Sequence, residues 1–262
     1  MLRTQGAPRD AGIDQGRALR HLIRRAAAAN RARYSRANFR KTRRSASPEL
    51  GLPLLRFLPQ HHERLQGIAS GAGVSLSALE SLELVPTHSV GATAKGAGVE
   101  ASFRTPDPAA WPLLLRSSDP DVGGFPSVEL TAAPWASSVA GVNAHGLAAL
   151  CVDGQPGGVS NRFLVQELLL RSRDFAGALD HLRRRAPYAG ARGTLLLASP
   201  DHEPARVRIL PDGLSVDAAP DGAPSAGLPR IRIDAAARTL VWIAADGSER
   251  VAEPRPPDEG LR

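Results

Sequence analysis

The sequence predicts an α+β fold in which helices stack on antiparallel sheets. Strand-like runs fall in two blocks on either side of a helical pair. A further helical region over residues 10–84 precedes all of the strands. Regular alternation of strand and helix, which would build a parallel sheet, is not found.

Taken in order, residues 10–29 read as one amphipathic helix. Leu19, Leu22, Ile23 and Ala26 repeat on one face, and Arg17, Arg20, Arg24 and Arg25 take the other. Residues 34–53 mix Ser, Arg and Pro without periodicity and read as a mobile basic loop. Helices are predicted over 54–69 and 75–84, the second with Ser75 as its N-cap.

After Pro86 short β-like runs alternate with turn residues. Strands are predicted at Phe103–Thr105, Pro112–Arg116, Val128–Ala132, Ser138–Val142 and Leu147–Val152. Helices follow near Arg162–Arg171 and Phe175–Arg185. Strands return at Thr194–Ala198, Ala205–Leu210, Arg230–Ile233 and Thr239–Ala244. The Pro-rich tail, 253–262, reads as disordered.

A chain of 262 residues can bury one large core, so residues 1–252 are read as a single domain. Aromatics are only 4%, which leaves Leu, Val, Ile and Ala to build that core. No apolar run approaches the roughly 20 residues that span a bilayer, and the N-terminus lacks the apolar stretch of a secretory leader. The lone Cys151 excludes an internal disulfide and any cysteine-based metal site. Together these features fit a cytoplasmic location without a membrane partner.

The net charge is +7, and residues 17–44 hold many Arg and Lys with no Asp or Glu. Such a block is either a solvated basic face or a surface for nucleic acid or another polyanion. No aromatic platform interleaves the arginines, which argues against nucleic acid.

No cofactor or metal motif survives inspection. His61-His62-Glu63 is adjacent along a helix, where neighbours point about 100° apart and do not easily share an ion. Gly71-Ala72-Gly73 lacks the strand and partner glycine of a dinucleotide fingerprint.

Four segments, in order, resemble a known family. The first is Gly6-Ala7-Pro8-Arg9-Asp10-Ala11-Gly12 with Gly16 beyond it, and the second is the stretch from Glu63 to Val74 containing Gly67-Ile68-Ala69-Ser70-Gly71-Ala72-Gly73. The third is Arg116-Ser117-Ser118-Asp119 at the end of a strand. The fourth is Gly141-Val142-Asn143-Ala144-His145-Gly146-Leu147. The set is similar to the acyl-coenzyme A:6-aminopenicillanic acid acyltransferase family, a branch of the N-terminal-nucleophile (Ntn) hydrolases.

The resemblance implies an αββα sandwich and chemistry at carbon–nitrogen amide bonds. The substrate implied is a small acyl-amide or peptide-like molecule, with acyl-coenzyme A as a further candidate. In such enzymes self-cleavage exposes a nucleophile whose own α-amino group, with a pKa of about 7.7–8.0, acts as base. Arg116 and Asp119 match the Arg and Asp that hold the nucleophile. Ser117 stands where the family has Asn. Asp153 falls on the expected oxyanion-hole Asn, where a carboxylate would repel the developing oxyanion. The family cysteine is missing: one register puts Glu100 in its place, and a register shifted by two makes Ser102 the nucleophile. Three readings stay open: an amide hydrolase or acyltransferase using Ser102, an inactive relative that binds a ligand or partner, and a binder of nucleic acid or an anionic surface.

Overall fold

Two glycine-bearing helices cross with their backbones in contact, and the rest of the fold is arranged around that crossing. The computed structural model describes residues 1–36, 54–84, 88–104, 112–120, 124–154, 159–189, 191–220 and 228–256. The predicted basic loop lies almost wholly outside these residues, as do 257–262 of the predicted tail and Pro106-Asp107-Pro108, a turn signal in the sequence.

Strand β1 (Leu2–Gln5) leads into α1 (Pro8–Ala18) and α2 (Arg20–Arg36), and a helical turn at 54–57 precedes α3 (Pro59–Ala72) and α4 (Leu76–Glu83). Six strands follow: β2 (His88–Lys95), β3 (Gly98–Arg104), β4 (Leu113–Asp119), β5 (Ser127–Ala132), β6 (Ala140–Asn143) and β7 (Ala148–Gly154). The helical pair is α5 (Asn161–Arg171) and α6 (Phe175–Ala189). The chain then adds β8 (Gly193–Ser199), β9 (His202–Leu210), β10 (Gly213–Ala218), β11 (Arg230–Asp234), β12 (Thr239–Ile243) and β13 (Glu249–Ala252).

The class is therefore α+β, and the described strands form two sheets. The larger has eight strands in the order β1-β4-β5-β6-β7-β8-β9-β10, and the smaller has five, β13-β12-β11-β3-β2. Every pair is antiparallel except β1 with β4. The sheets meet where β2 and β3 lie against β7, β8 and β9, and α5 lies against β6, β7 and β8. One hydrophobic cluster extends from Ile23 to Ala252 and includes residues of both sheets.

Glycine sets the helix crossing. A Cβ on Gly12 would come within 2.3 Å of the Arg64 carbonyl oxygen, and one on Gly67 within 2.1 Å of that of Arg9. Gly16 and Gly71 are equally crowded by Ile68 and Ile13. Only residues without a side chain let two helix backbones approach this closely, so these glycines of the first two motif segments are packing elements.

The helix predicted over 10–29 is two helices, because Leu19 leaves helical geometry (φ −110°, ψ 17°). The redirected α2 brings Arg20 and Arg24 to the end of α3, where Arg20 Nη2 donates to Gly71 O (3.0 Å) and Arg24 Nε to Ala72 O (2.9 Å). The last carbonyls of a helix have no intrahelical donor and carry its negative dipole end, so arginine suits them. Part of the basic block is thereby structural. Gly73 closes α3 in the left-handed region (φ +67°). Ser75 caps α4 as predicted, its side chain accepting from Ala78 N.

Candidate functional site

The strand registers place Arg116, Glu129, Gly141 and Ala149 side by side on one face of the large sheet. That face looks toward the helices, since a Cβ on Gly141 would strike Leu169 Cδ1 of α5 at 2.5 Å. Thr4 and Ser118 lie on the same face, two residues along from the Leu2–Arg116 pair. The edge of the sheet thus presents polar groups to α1, α3 and α5 where an apolar layer would be usual.

Arg116 is fully buried and fully engaged. Nε and Nη2 reach Glu129 Oε2 (3.1 and 2.5 Å), and Nη2 also meets Ser138 Oγ (2.8 Å) and Ala136 O (3.0 Å). Nη1 donates to Gln15 Oε1 (3.1 Å) and Trp135 O (3.2 Å). Burial pushes the Glu129 carboxyl up, but Arg116, Arg64 and the Ser138 hydroxyl outweigh it and hold the group below the usual carboxylate range. Glu83 binds the same β5–β6 connection, accepting from Ala136 N (2.5 Å) and Ser137 Oγ (2.6 Å).

A second buried carboxylate, Glu167 of α5, gathers groups from three helices. His61 Nε2 stands 2.9 Å from its Oε1, Gln60 donates to the same oxygen, and Arg171 Nε lies 3.4 Å from Oε2. His181 Nε2 is 3.6 Å away, too long for a hydrogen bond but near enough to favour the charge. Burial raises Glu167, and the histidines with Arg171 more than reverse it, leaving it well below its ordinary range. With the Gln166 amide turned so that its oxygen accepts from Arg116 Nη2 (2.9 Å), its nitrogen donates to His61 Nδ1 (3.1 Å). His61 Nδ1 then accepts and Nε2 faces Glu167, so the ring is held on both sides.

This polar layer opens on a cleft of about 290 Å³. Its walls are Thr4, Gly6, Ala7, Pro8 and Ala11 from the start of the chain, Gln60, His61 and Arg64 from α3, Ser118, Asp119 and Pro120 after β4, Gly124, and Gln166, Leu170 and Arg171 from α5. Asp119 also receives Arg255 Nη1 at 3.1 Å.

The four residues picked from the sequence are not gathered at one point. Arg116 lies in the buried layer and Asp119 at the cleft. Asp153 is exposed near the end of β7, where its Oδ2 accepts from Thr194 Oγ1 (3.3 Å). Strands β4 and β7 are separated by β5 and β6, about 14 Å of sheet. Ser102 is in the other sheet, in the middle of β3, with Val90 of β2 and Arg230 of β11 as its register partners and no exposed surface. Glu100, two residues earlier, is 2% exposed, with Arg230 Nη1 3.8 Å from its Oε1.

The sequence reading missed Gln15, His61, Arg64, Glu129 and Glu167. One signal was available for two of them: Glu129 and Glu167 interrupt apolar runs of a strand and a helix that are otherwise buried. Among the described residues, no group of three His, Cys, Asp or Glu is placed to hold a metal ion, and no helix is long and apolar enough to cross a membrane. The chain matches no protein-family model, and no curated protein matches it in sequence.

Proposed function

We propose that this chain is a degenerate relative of the Ntn-hydrolase acyltransferases, with the αββα scaffold of enzymes that act on carbon–nitrogen amide bonds but a role in ligand binding. The four ordered sequence motifs support the family reading, and the two face-to-face sheets with α5 against the larger are compatible with it. The observation that carries the loss of catalysis is the position of Ser102. An Ntn nucleophile must become the first residue of its chain, with a free α-amino group as base. Ser102 sits between two paired strands, and Ala101 before it is equally buried. The guanidinium that should serve the nucleophile, Arg116, spends its donors on Glu129, Gln15, Ser138 and two backbone carbonyls. Glu100, the residue at the alternative register, has no hydroxyl or thiol with which to start an acyl shift.

A panel of small acyl-amides and acyl-coenzyme A donors tests this directly. The expected outcome is no amide cleavage or acyl transfer above that of Ser102→Ala. Turnover that disappears in Ser102→Ala would restore the enzyme reading.

A further inference from the structure

The cleft at the start of α1 holds a charge that its own walls do not answer. Arg64 enters from α3 and is only 5% exposed. Among the described residues it makes two hydrogen bonds, both from Nη2 and both to neutral acceptors, Thr4 Oγ1 (3.1 Å) and Gln15 Oε1 (3.3 Å). Its Nε is buried without an acceptor. The surrounding carboxylates are committed elsewhere: Glu129 to Arg116, Glu167 to His61 and Arg171, and Asp119 to Arg255. Burial and the neighbouring Arg116 draw Arg64 down to about 9, with Glu129 and Glu83 opposing, so it stays charged at neutral pH. A buried cation that touches no carboxylate is costly even with Glu129 and Glu83 nearby, and a bound anion offsets that cost.

The first turn of α1 faces the same cleft. Its cap position is Ala7, which offers no side-chain acceptor, and the helix runs for 11 residues behind it. Pro8 at the first helical position has no N–H and Asp10 already stands in the first turn, so what α1 offers an anion is the N–H groups of Arg9 and Asp10 and the positive end of its dipole. Ala7, Ala11 and Leu170 give the cleft an apolar side.

We propose that this cleft binds a small carboxylate with a short apolar tail, the carboxylate seated between Arg64 and the first turn of α1 and the tail against Ala11 and Leu170. A volume of about 290 Å³ admits a head group and a few carbons, and is too small for a nucleotide-sized molecule. One buried guanidinium already partly balanced by Glu129, with Asp119 at the cleft wall, suits a monoanion better than a phosphate dianion. The site does not depend on the Ntn-hydrolase reading, since it uses neither Ser102 nor Asp153 and needs no cleavage of the chain, although Asp119, matched to the family Asp, stands in its wall.

The test uses the full chain with hexanoate, hexanamide and inorganic phosphate as probes. Binding is followed by melting temperature and by the guanidinium Nε–H resonance that disappears in Arg64→Lys. Hexanoate should bind about tenfold or more tightly than hexanamide, the effect of one charge-assisted contact, and should move the Arg64 resonance. Arg64→Met should abolish the preference. If that variant fails to fold, the acid–amide comparison on the natural chain decides alone. Equal binding of acid and amide, tighter binding of phosphate, or no response to any probe at about 10 mM would each overturn the proposal.

Discussion

Arg116 and Glu129 face each other across β4 and β5, joined through Nε and Nη2 to one carboxylate oxygen, and both have no exposed surface. Removing one partner of such a pair leaves an uncompensated buried charge. Glu129→Ala should therefore destabilise the protein by about 3–5 kcal/mol in denaturant titrations. The double variant Arg116→Met, Glu129→Leu should be considerably more stable than Glu129→Ala. A Glu129→Ala protein with wild-type stability would show that the pair does not hold the sheet edge to the helices.

The α1–α3 crossing makes a sharper demand. Gly67→Ala places a methyl group against the Arg9 backbone, where neither side can move without separating the helices. The loss should be about 2 kcal/mol or more, at the upper end of overpacking effects, although Ala favours a helix over Gly by roughly 1 kcal/mol. A melting temperature equal to or above that of the natural chain would mean that the helices are not in backbone contact.

Much of this architecture is legible in the sequence, and the failures have physical causes. The Ser75 cap follows from local chemistry that needs no distant partner, and α5 and α6 lie where the sequence places them. The break at Leu19 is invisible because residues on both sides fit one helical stripe, and tertiary contacts of Gly12, Gly16, Arg20 and Arg24 decide it. Strands β1, β2, β10 and β13 were missed because each lies at a sheet edge, where one face is wet and the apolar alternation fades. The motif glycines were visible, but their role was not, since a packing glycine and a turn glycine look alike until the second helix is placed. The candidate site was legible only in Arg116 and Asp119. In the sequence His61 is weighed only as a metal ligand and Arg64 not at all, because their burial depends on distant partners: β1 and α1 cover Arg64, and α5 covers His61.

Acid should unfold the chain early. Glu129 and Glu167 titrate lower in the folded protein than in the unfolded chain, where glutamate has a pKa of about 4.3. Below that value the unfolded state takes up protons that the folded state refuses, so their stabilising contribution is complete above it and declines as pH falls through it toward the folded values. Melting temperatures measured between pH 7 and pH 3 should fall most steeply below about pH 4.5. Glu167→Gln should flatten that fall. A profile identical in the variant would remove Glu167 as a cause.

Cys151 should be chemically silent. Its thiol is buried, and burial, aided by Asp153 against the pull of Arg162, pushes it up to about 12. Thiol reagents at pH 8 should label the native protein at least about 100-fold more slowly than the denatured chain. Rapid labelling of native protein would place Cys151 at an accessible site and make it a candidate nucleophile.

Whether the chain still processes itself is read from the intact mass of freshly purified protein. Lost self-processing leaves one species at 27.6 kDa, unchanged after prolonged incubation and unchanged in Ser102→Ala. Two fragments meeting between Ala101 and Ser102, absent in Ser102→Ala, would contradict it and make the chain a working serine-dependent Ntn hydrolase.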